Sequence, residues 1–248
     1  MMFSLSIVLP AYNEEETVEA AVTQVSEVAQ GLAMDHEIIL VNDGSADRTG
    51  DIGRGLENHI PHFRLIEHYP NRGYGGSLKA GFAAATKEWI AFTPADNQFV
   101  FDEITLLLER IGEADIVSGY RADRQDTPIR KLNASLWNSL IRVLFGRLCR
   151  DIDCGFKLFR REVLEHVHIE SNGAMIDTEF LAGAKSRGYR IVDVPVTPLP
   201  RVAGEATGAD LRVIARAFRD LFRFRLRLNR ELRAERRQYS ARERSCEA

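Results

Sequence analysis

Long apolar runs are missing from this 248-residue chain, and cysteine is nearly so. No stretch approaches the roughly 18 to 20 apolar residues needed to span a bilayer, and the N-terminus enters a strand pattern at once, without the charged start and apolar stretch of a signal peptide. Those absences point to a cytosolic protein. The three cysteines, Cys149, Cys154 and Cys246, form no CxxC pair and leave an odd count. That speaks against a disulfide framework or a zinc site and for reduced thiols. Glycine is lacking where two phosphate-binding designs require it. No Gly-x-Gly-x-x-Gly follows the first strand pattern and no Gly-rich turn there ends in Lys, so neither the dinucleotide-binding nor the P-loop arrangement is available. Internal repeats and low-complexity segments are absent too.

What is present bounds the fold. With 45% hydrophobic and 28% charged residues the chain can bury one sizeable core. Strand patterns fall at 4–10, 36–42, 62–67, 88–93, 114–119 and 190–196. Helical patterns fall at 15–30, 46–57, 74–86, 101–111, 128–146, 160–167, 175–187 and 209–230. The first half alternates the two at the spacing of right-handed βαβ units, the sequence form of an α/β nucleotide-binding sheet whose site lies at the carboxyl ends of its strands. After Arg121 the pattern becomes irregular, and elements draped over the sheet edge are expected. Residues 198–208, bounded by Pro198 and Gly208, read as a loop of lid length. The net charge of −3 hides an asymmetry, because residues 211–248 carry twelve Arg against five acids, a net +7 that leaves −10 for the rest. The expected division is a large domain over 1–208 and a basic amphipathic tail over 209–248, a surface for anionic partners.

The loops carry the chemistry. Strand one runs into Pro10-Ala11-Tyr12-Asn13-Glu14-Glu15-Glu16, an acidic stretch that would repel phosphate but suits a base and a ribose. Tyr12 can stack there, and Glu14 can accept from base or hydroxyl donors. The alternative, that glutamates favour the first turn of a helix, covers Glu15 and Glu16 better than Glu14 and leaves Tyr12 unexplained. After strand two, Asp43 sits on a tight Asn-Asp-Gly-Ser turn where it could accept from an imino N–H of a base, while Asp47 caps or charges the following helix. Gly73, Gly75 and Gly76 either let the chain approach a ligand closely or form a turn. Arg72 and Lys79 are nearby cations for a diphosphate, and Gly81 reads as close helix-to-sheet packing. Thr93 to Gln98 follows the apolar strand Trp89 to Phe92. A nucleoside diphosphate in an acidic site needs a divalent cation, and the hard oxygens of Asp96 and Gln98 fit that role, with an Asx-turn before the next helix as the alternative.

Together these residues resemble an inverting family 2 glycosyltransferase of GT-A fold, close to the dolichyl-phosphate mannosyltransferase and polyprenyl-phosphate glycosyltransferase branch. The resemblance covers about residues 4–225 and rests on SIVLPAYNEEE, VNDGSADRT, NRGYGGSLKAGF, ADNQ, DIVSGYR, DIDCGFKLFRREVLE, MIDTEF and RVAGE. It implies an α/β architecture with a Rossmann-like mixed sheet flanked by helices. It also implies a donor site at Pro10, Tyr12, Glu14, Asp43, Lys79, Ala95, Asp96 and Gln98, with Mg²⁺ or Mn²⁺ on Asp96 and Gln98. The lipid acceptor's phosphate would lie on Arg121 and Arg130, with Lys131 and Glu179 beside it, and Arg201 would face the leaving diphosphate. Asp96, Arg121, Arg130 and Arg201 then carry the reaction. Asp151 and Asp153 flank the acceptor region, Asp153 in a structural role and Asp151 either touching the site or not. Glu179 has an alternative as a buried carboxylate anchoring its helix. Two positions depart from the family pattern. Pro94 stands where the Asp-x-Asp motif begins, and Arg201 to Thr207 lacks the Ser and Lys of RxxGxSK.

The expected reaction moves mannose or glucose from a donor of the GDP-mannose or UDP-glucose class to a polyprenyl phosphate, with inversion. A phosphate monoester has its second pKa near 6, so its nucleophilic oxygen needs no strong base at neutral pH. What remains is in-line positioning, arginine forks on the acceptor and stabilisation of the leaving group. In the tail, Leu211, Ile214, Phe218, Leu221 and Phe222 follow helical spacing with Arg212, Arg216, Arg219 and Arg223 between them, as in an interfacial helix on anionic lipid. A solvated terminal helix is the alternative, and Phe222 to Leu228 alternates at period two, which weakens the helical pattern there. The expected location is the inner, cytoplasmic face of a membrane, with a separate membrane subunit as an open question and no nucleic-acid partner. Two rivals stand beside this reading: a soluble transferase to a saccharide hydroxyl, which would need a positioned base, and a non-catalytic nucleotide-sugar-binding subunit.

Overall fold

β1 (Ser4–Ala11) and β2 (Asp35–Asn42) are near-continuous apolar runs, the kind that only a sheet covered on both faces can hide. They pair in parallel, with Ile7 opposite Ile38 and Leu9 opposite Leu40. β3 (Phe63–Glu67) extends the sheet beyond β2, and β4 (Trp89–Phe92) extends it beyond β1. β5 (Ile116–Arg121), β6 (Lys157–Arg160) and β7 (Ile191–Val196) complete seven strands in the order β3-β2-β1-β4-β6-β5-β7. Among the described residues only β6 runs antiparallel to its neighbours in the sheet. The computed structural model describes residues 3–32, 35–122, 128–200 and 211–246, with side chains over 137–145 in α5 (Pro128–Phe145) and 219–238 in α8 (Leu211–Cys246). The chain divides into two compact units, Met1–Gly204 and Glu205–Ala248.

Alternation along the strands builds two cores in the first unit. Leu5, Ile7 and Leu9 of β1 join Ile38 and Leu40 of β2 in packing on one face. Val18, Val22 and Val25 of α1 (Val18–Gly31), Leu56 of α2 (Thr49–Leu56) and Ile104 and Leu107 of α4 (Ile104–Leu108) cover them. On the other face α3 (Tyr74–Ala84) lies against β1. A Cβ at Gly81 would come 2.3 Å from Val8 Cγ1, the close helix-to-sheet packing expected of that glycine. Phe82 of α3, Phe92, Phe159 and Phe180 of α7 (Met175–Ser186) form an angled aromatic cluster with centroids 4.6 to 6.4 Å apart. Each such pair contributes about 0.5–1.5 kcal/mol beyond its buried area.

Beyond β4 the structure departs from the expected elements in several places. After Arg121 the strand expected over 190–196 is present as β7, while an unexpected strand, β6, enters the sheet between β4 and β5, so elements draped over the sheet edge do not account for this half alone. A four-residue strand reading Lys-Leu-Phe-Arg is too short to display a period, so β6 left no strand signal. The helix expected over 101–111 is a 3₁₀ turn, Phe101–Glu103, followed by a five-residue α4. α6 (Val163–His166) is likewise a single turn. α8 runs unbroken over 36 residues, so the period-two alternation after Phe222 does not interrupt it. Residues 201–210 lie outside the described residues, and with them Arg201 and most of the loop over 198–208; so do the side chains of Arg130 and Lys131.

Candidate active site

Six strands end, and the antiparallel β6 begins, at one edge of the sheet. Topology alone therefore gathers Tyr12 and Glu14 after β1, Asp43 after β2, Asp96 and Gln98 after β4, Arg121 at the end of β5 and Asp151–Cys154 before β6. The loops after β1 and β2 are zipped together. Asn13 N–H donates to Ser45 Oγ (2.9 Å), Glu14 N–H to Thr49 Oγ1 (2.8 Å) and Glu15 N–H to Asp47 Oδ2 (3.1 Å). In return Ala46 N–H donates to Asn13 Oδ1 (2.9 Å) and Arg48 N–H to Glu15 Oε2 (3.1 Å). Glu15 thus holds the neighbouring loop instead of the first turn of α1, which starts only at Val18. Asp47 Oδ1 accepts from Thr49 N–H (3.0 Å) at the start of α2, the capping expected of it. Pro10 accepts from Ala95 N–H through its carbonyl (3.2 Å), which ties the first loop to the segment after β4. Tyr12 remains 51% exposed on this fixed platform.

Asp43 is almost fully buried, and its carboxylate organises the third loop. Oδ1 accepts from Arg72 N–H (2.9 Å) and faces His68 Nδ1 (2.7 Å), while Oδ2 accepts from Gly73 N–H (2.7 Å). His68 left no signal in the sequence. The glycines that follow serve neither a bare turn nor an open ligand cradle. A Cβ on Gly73 would meet Asn172 O at 2.5 Å and one on Gly75 would meet Ser171 O at 2.7 Å, while Gly75 N–H donates to Asn172 O (2.9 Å). A peptide carbonyl thereby occupies an amide at the start of α3. The same 170–172 segment is held by Glu179, whose Oε2 accepts from the N–H groups of Glu170 (2.8 Å) and Ser171 (3.0 Å), and by Lys79 Nζ on Glu170 O (2.8 Å).

After β4 the chain turns at Asn97, whose φ of 54° suits asparagine's tolerance of the left-handed region. The turn is self-bonded: Gln98 N–H donates to Asp96 Oδ1 (3.1 Å), and the Gln98 amide contacts Asp96 Oδ2. Pro94, in place of the first acid of the family motif, packs against Gly155, where a Cβ would lie 3.0 Å from its ring. No cluster of three His, Cys, Asp or Glu able to hold a metal exists among the described residues. Asp96 and Gln98 therefore offer one carboxylate and one amide oxygen. That set fits a Mg²⁺-type ion held by one or two protein oxygens plus substrate phosphates, and misfits an all-protein cage. Beyond the turn, Leu199 N–H donates to Gln98 O (2.8 Å) and Thr197 bonds Glu103 through N–H (2.7 Å) and Oγ1 (2.6 Å). The segment leaving β7 is thus pinned to the Asp96–Gln98 turn two residues before Arg201.

Across β6, Arg121 is gripped by Asp151: Nε to Oδ2 at 2.7 Å and Nη2 to Oδ1 at 2.9 Å, a bidentate fork. Under the loop that carries Asp151 lies Lys157, the first residue of β6 and fully buried. Its Nζ donates to Ile152 O (3.0 Å), to Cys154 O and to Asp177 Oδ1 of α7 (2.7 Å). Burial acts to lower its pKa, but the Asp177 carboxylate outweighs that and raises it. Neither residue was singled out from sequence. Their only trace was a charge inside each of two apolar runs, GFKLF and MIDTEF, where buried charges are rare unless paired. Asp153 is exposed as a residue, yet its carboxyl stands close to other acids, and partial burial together with Asp177 and Asp151 pushes its pKa up to about 6. Tyr74 belongs to the same recess: burial first, then Asp177, Cys154, Asp153 and Asp96, hold its hydroxyl well above its usual pKa. Cys154 is free and buried, its thiol pushed up to about 11 by burial.

The comparisons with known proteins agree with this arrangement. The chain is 31% identical over 216 residues to undecaprenyl-phosphate 4-deoxy-4-formamido-L-arabinose transferase of Enterobacter sp. (strain 638), covering 85% of this chain and 64% of that one. It is 32% identical over 207 residues to glycosyltransferase AglD of Haloferax volcanii, covering 79% and 33%. The chain therefore spans less than two thirds of the length of these curated relatives. Among solved structures, glucosyl-3-phosphoglycerate synthase from Mycobacterium tuberculosis in complex with Mn²⁺, UDP-glucose and phosphoglyceric acid matches with TM-score 0.70 at 20% identity, covering 91% of this chain and 79% of that one. The same enzyme with Mg²⁺ and UDP matches at 0.65 and 21%, covering 82% and 73%. At those identities the likeness speaks for the fold, and the fold is GT-A. The profile of glycosyl transferase family 2 matches residues 6–167, most of the chain, and with a relative above 30% identity it makes this protein a member of that family.

Proposed function

We propose that this chain transfers a hexose from a nucleotide-diphospho-sugar to a polyprenyl phosphate with inversion at the anomeric carbon, working at the inner face of a membrane. The observation that carries the reading is the Arg121 fork. Asp151 takes up Nε and Nη2 and so fixes the guanidinium at the sheet edge where Asp96 and Gln98 also lie, with β6 between the two strands. A similarity of 31% to an enzyme named for undecaprenyl phosphate supports the acceptor class.

In this reading Tyr12 stacks on the base, Glu14 and Asp43 accept from base or ribose, and Pro10, Lys79 and Ala95 line the donor. Asp96 and Gln98 hold Mg²⁺ or Mn²⁺, whose contribution is to neutralise the diphosphate. Arg121, with Arg130 and Lys131, fixes the acceptor phosphate in line, Glu179 supports that wall, and Arg201 meets the leaving group. Mannose or glucose as the sugar, and GDP or UDP as the carrier, belong to the proposal. Transfer of radiolabel from GDP-mannose and UDP-glucose to a short polyprenyl phosphate, with Mn²⁺ or with chelator, tests it. A metal-dependent lipid product is expected, and Asp96→Ala should lose about 100-fold or more in kcat with its fold intact. Full activity in that variant or in chelator would remove the metal role.

One observation favours a second reading. Asp153, solvent-accessible and with a pKa near 6, suits a general base for a saccharide hydroxyl. A hydroxyl acceptor would make Asp153→Asn inactive, whereas transfer to a phosphate should survive that change.

A further inference from the structure

We infer that Lys157 is the positioning residue of the acceptor arginine: from inside the protein it clamps the Asp151–Cys154 loop, and through Asp151 it fixes the aim of Arg121. The inference rests on the proposed role of Arg121. The connection is continuous. Asp177 of α7 holds Lys157 Nζ at 2.7 Å, Nζ holds the carbonyls of Ile152 (3.0 Å) and Cys154, and the residue directly before this clamped pair, Asp151, is the bidentate partner of Arg121. Three oxygens from two elements converge on one ammonium, which uses all three of its donors. Phe92 lies beside it with its centroid 5.3 Å from Nζ, closing the site to water.

A stability role alone explains this arrangement poorly. Burying an ion pair costs desolvation that its attraction only partly offsets, and well-packed apolar residues often do as well or better. What apolar residues cannot do is hold the loop carbonyls of Ile152 and Cys154. The clamp leaves Asp151 no freedom to follow Arg121, so the guanidinium is fixed before the acceptor arrives, and an error of about 1 Å there can cost about 100-fold in rate.

The test is a double-mutant cycle in the full chain. Lys157→Met with Asp177→Leu removes both charges together and so leaves neither buried unpaired, which should preserve the fold by circular dichroism and melting. Against the short polyprenyl phosphate this variant is expected to lose about 100-fold in kcat/KM for the acceptor, with KM for the sugar nucleotide within about twofold of the parent. The same pair introduced into Arg121→Ala should cost almost nothing further, because the clamp acts through that arginine. Should the double variant fail to fold, Asp177→Asn, which keeps an amide oxygen against Nζ, enters the same cycle with an expected loss of about tenfold. A folded variant with parental acceptor kinetics, or equal losses with and without Arg121, overturns the inference. If Arg121→Ala itself leaves acceptor KM and kcat unchanged, the acceptor site is elsewhere, and the proposed function falls before the clamp does.

Discussion

Asp153 illustrates how one carboxyl group can be read through pH. Burial, Asp177 and Asp151 raise its pKa from 3.8 to about 6, and Lys157 and Arg121 only partly offset them. A raised carboxyl pKa means that the folded protein binds the proton more tightly than the unfolded chain does. Stability therefore falls as pH rises from about 4 to about 6, then stays level with respect to this group. Asp153→Asn removes the ionisation while keeping the shape. Its melting temperature should match the parent near pH 3.5 and exceed it at pH 7.5, the gap opening between those values in differential scanning fluorimetry. A gap that is constant, or that closes as pH rises, would show that Asp153 is not strained by its neighbours. At this scale the sequence was legible where a residue type has few alternative uses, as with Gly81 and Asp47. It was opaque where partners come from distant segments. Asp43 was read as facing a base, and the two backbone amides and His68 that also meet its carboxylate, all from a segment distant in sequence, left no trace.

Among the elements, the parallel half was readable because each strand is an apolar run ended by a polar loop, and β1 to β4 lie within two residues of their expected bounds. β6 was not, being four residues long and inserted antiparallel between strands far from it in sequence. α8 was half legible. Leu221 and Phe222 were expected on one apolar face, but at about 100° per residue Leu221, Phe224 and Leu228 fall opposite Phe222 and Leu226. The latter two are 50% and 58% exposed, and within about 100° of arc they stand with Arg219, Arg223, Arg230 and Arg233, while Asp220, Glu231 and Glu235 lie on the far side. Arg237, about five turns beyond Arg219, falls on the same arc, and Arg219 contacts Asp220 (3.1 Å), so Arg223, Arg230 and Arg233 are three of the charges of the stripe. No helix of the described residues is long and apolar enough to cross a membrane, and this stripe is the feature of α8 suited to lying on one. At about 1 kcal/mol per arginine near an anionic surface, Arg223→Gln, Arg230→Gln and Arg233→Gln together should weaken sedimentation with phosphatidylglycerol vesicles about 100-fold. Phosphatidylcholine vesicles should bind weakly with or without the change. Equal binding of parent and variant to anionic vesicles would dismiss the stripe.

For the molecule as a whole, the site is assembled from loops that have little reason to be ordered except one another. The loops after β1 and β2 exchange five hydrogen bonds, Asp43 secures the segment before α3, the 170–172 segment closes on the glycines, and Leu199 returns to Gln98. A ligand bridging several of these loops stabilises all of them at once, so donor nucleotide should raise the melting temperature of the intact chain. Saturation at about 100 times Kd contributes about 2.7 kcal/mol, which for a unit of this size is a shift of roughly 5–10 °C. With UDP or GDP the larger shift identifies the carrier base, since the base contacts at Tyr12, Glu14 and Asp43 are independent of the metal. The diphosphate contacts are not. Chelator, or Asp96→Ala in the presence of Mn²⁺, should remove most of the shift given by the diphosphate and leave the smaller shift given by the bare nucleoside. If chelator leaves the diphosphate shift intact, the cations of the site, and not Asp96 and Gln98, neutralise the donor, and Pro94 then marks a chain that has dispensed with the metal.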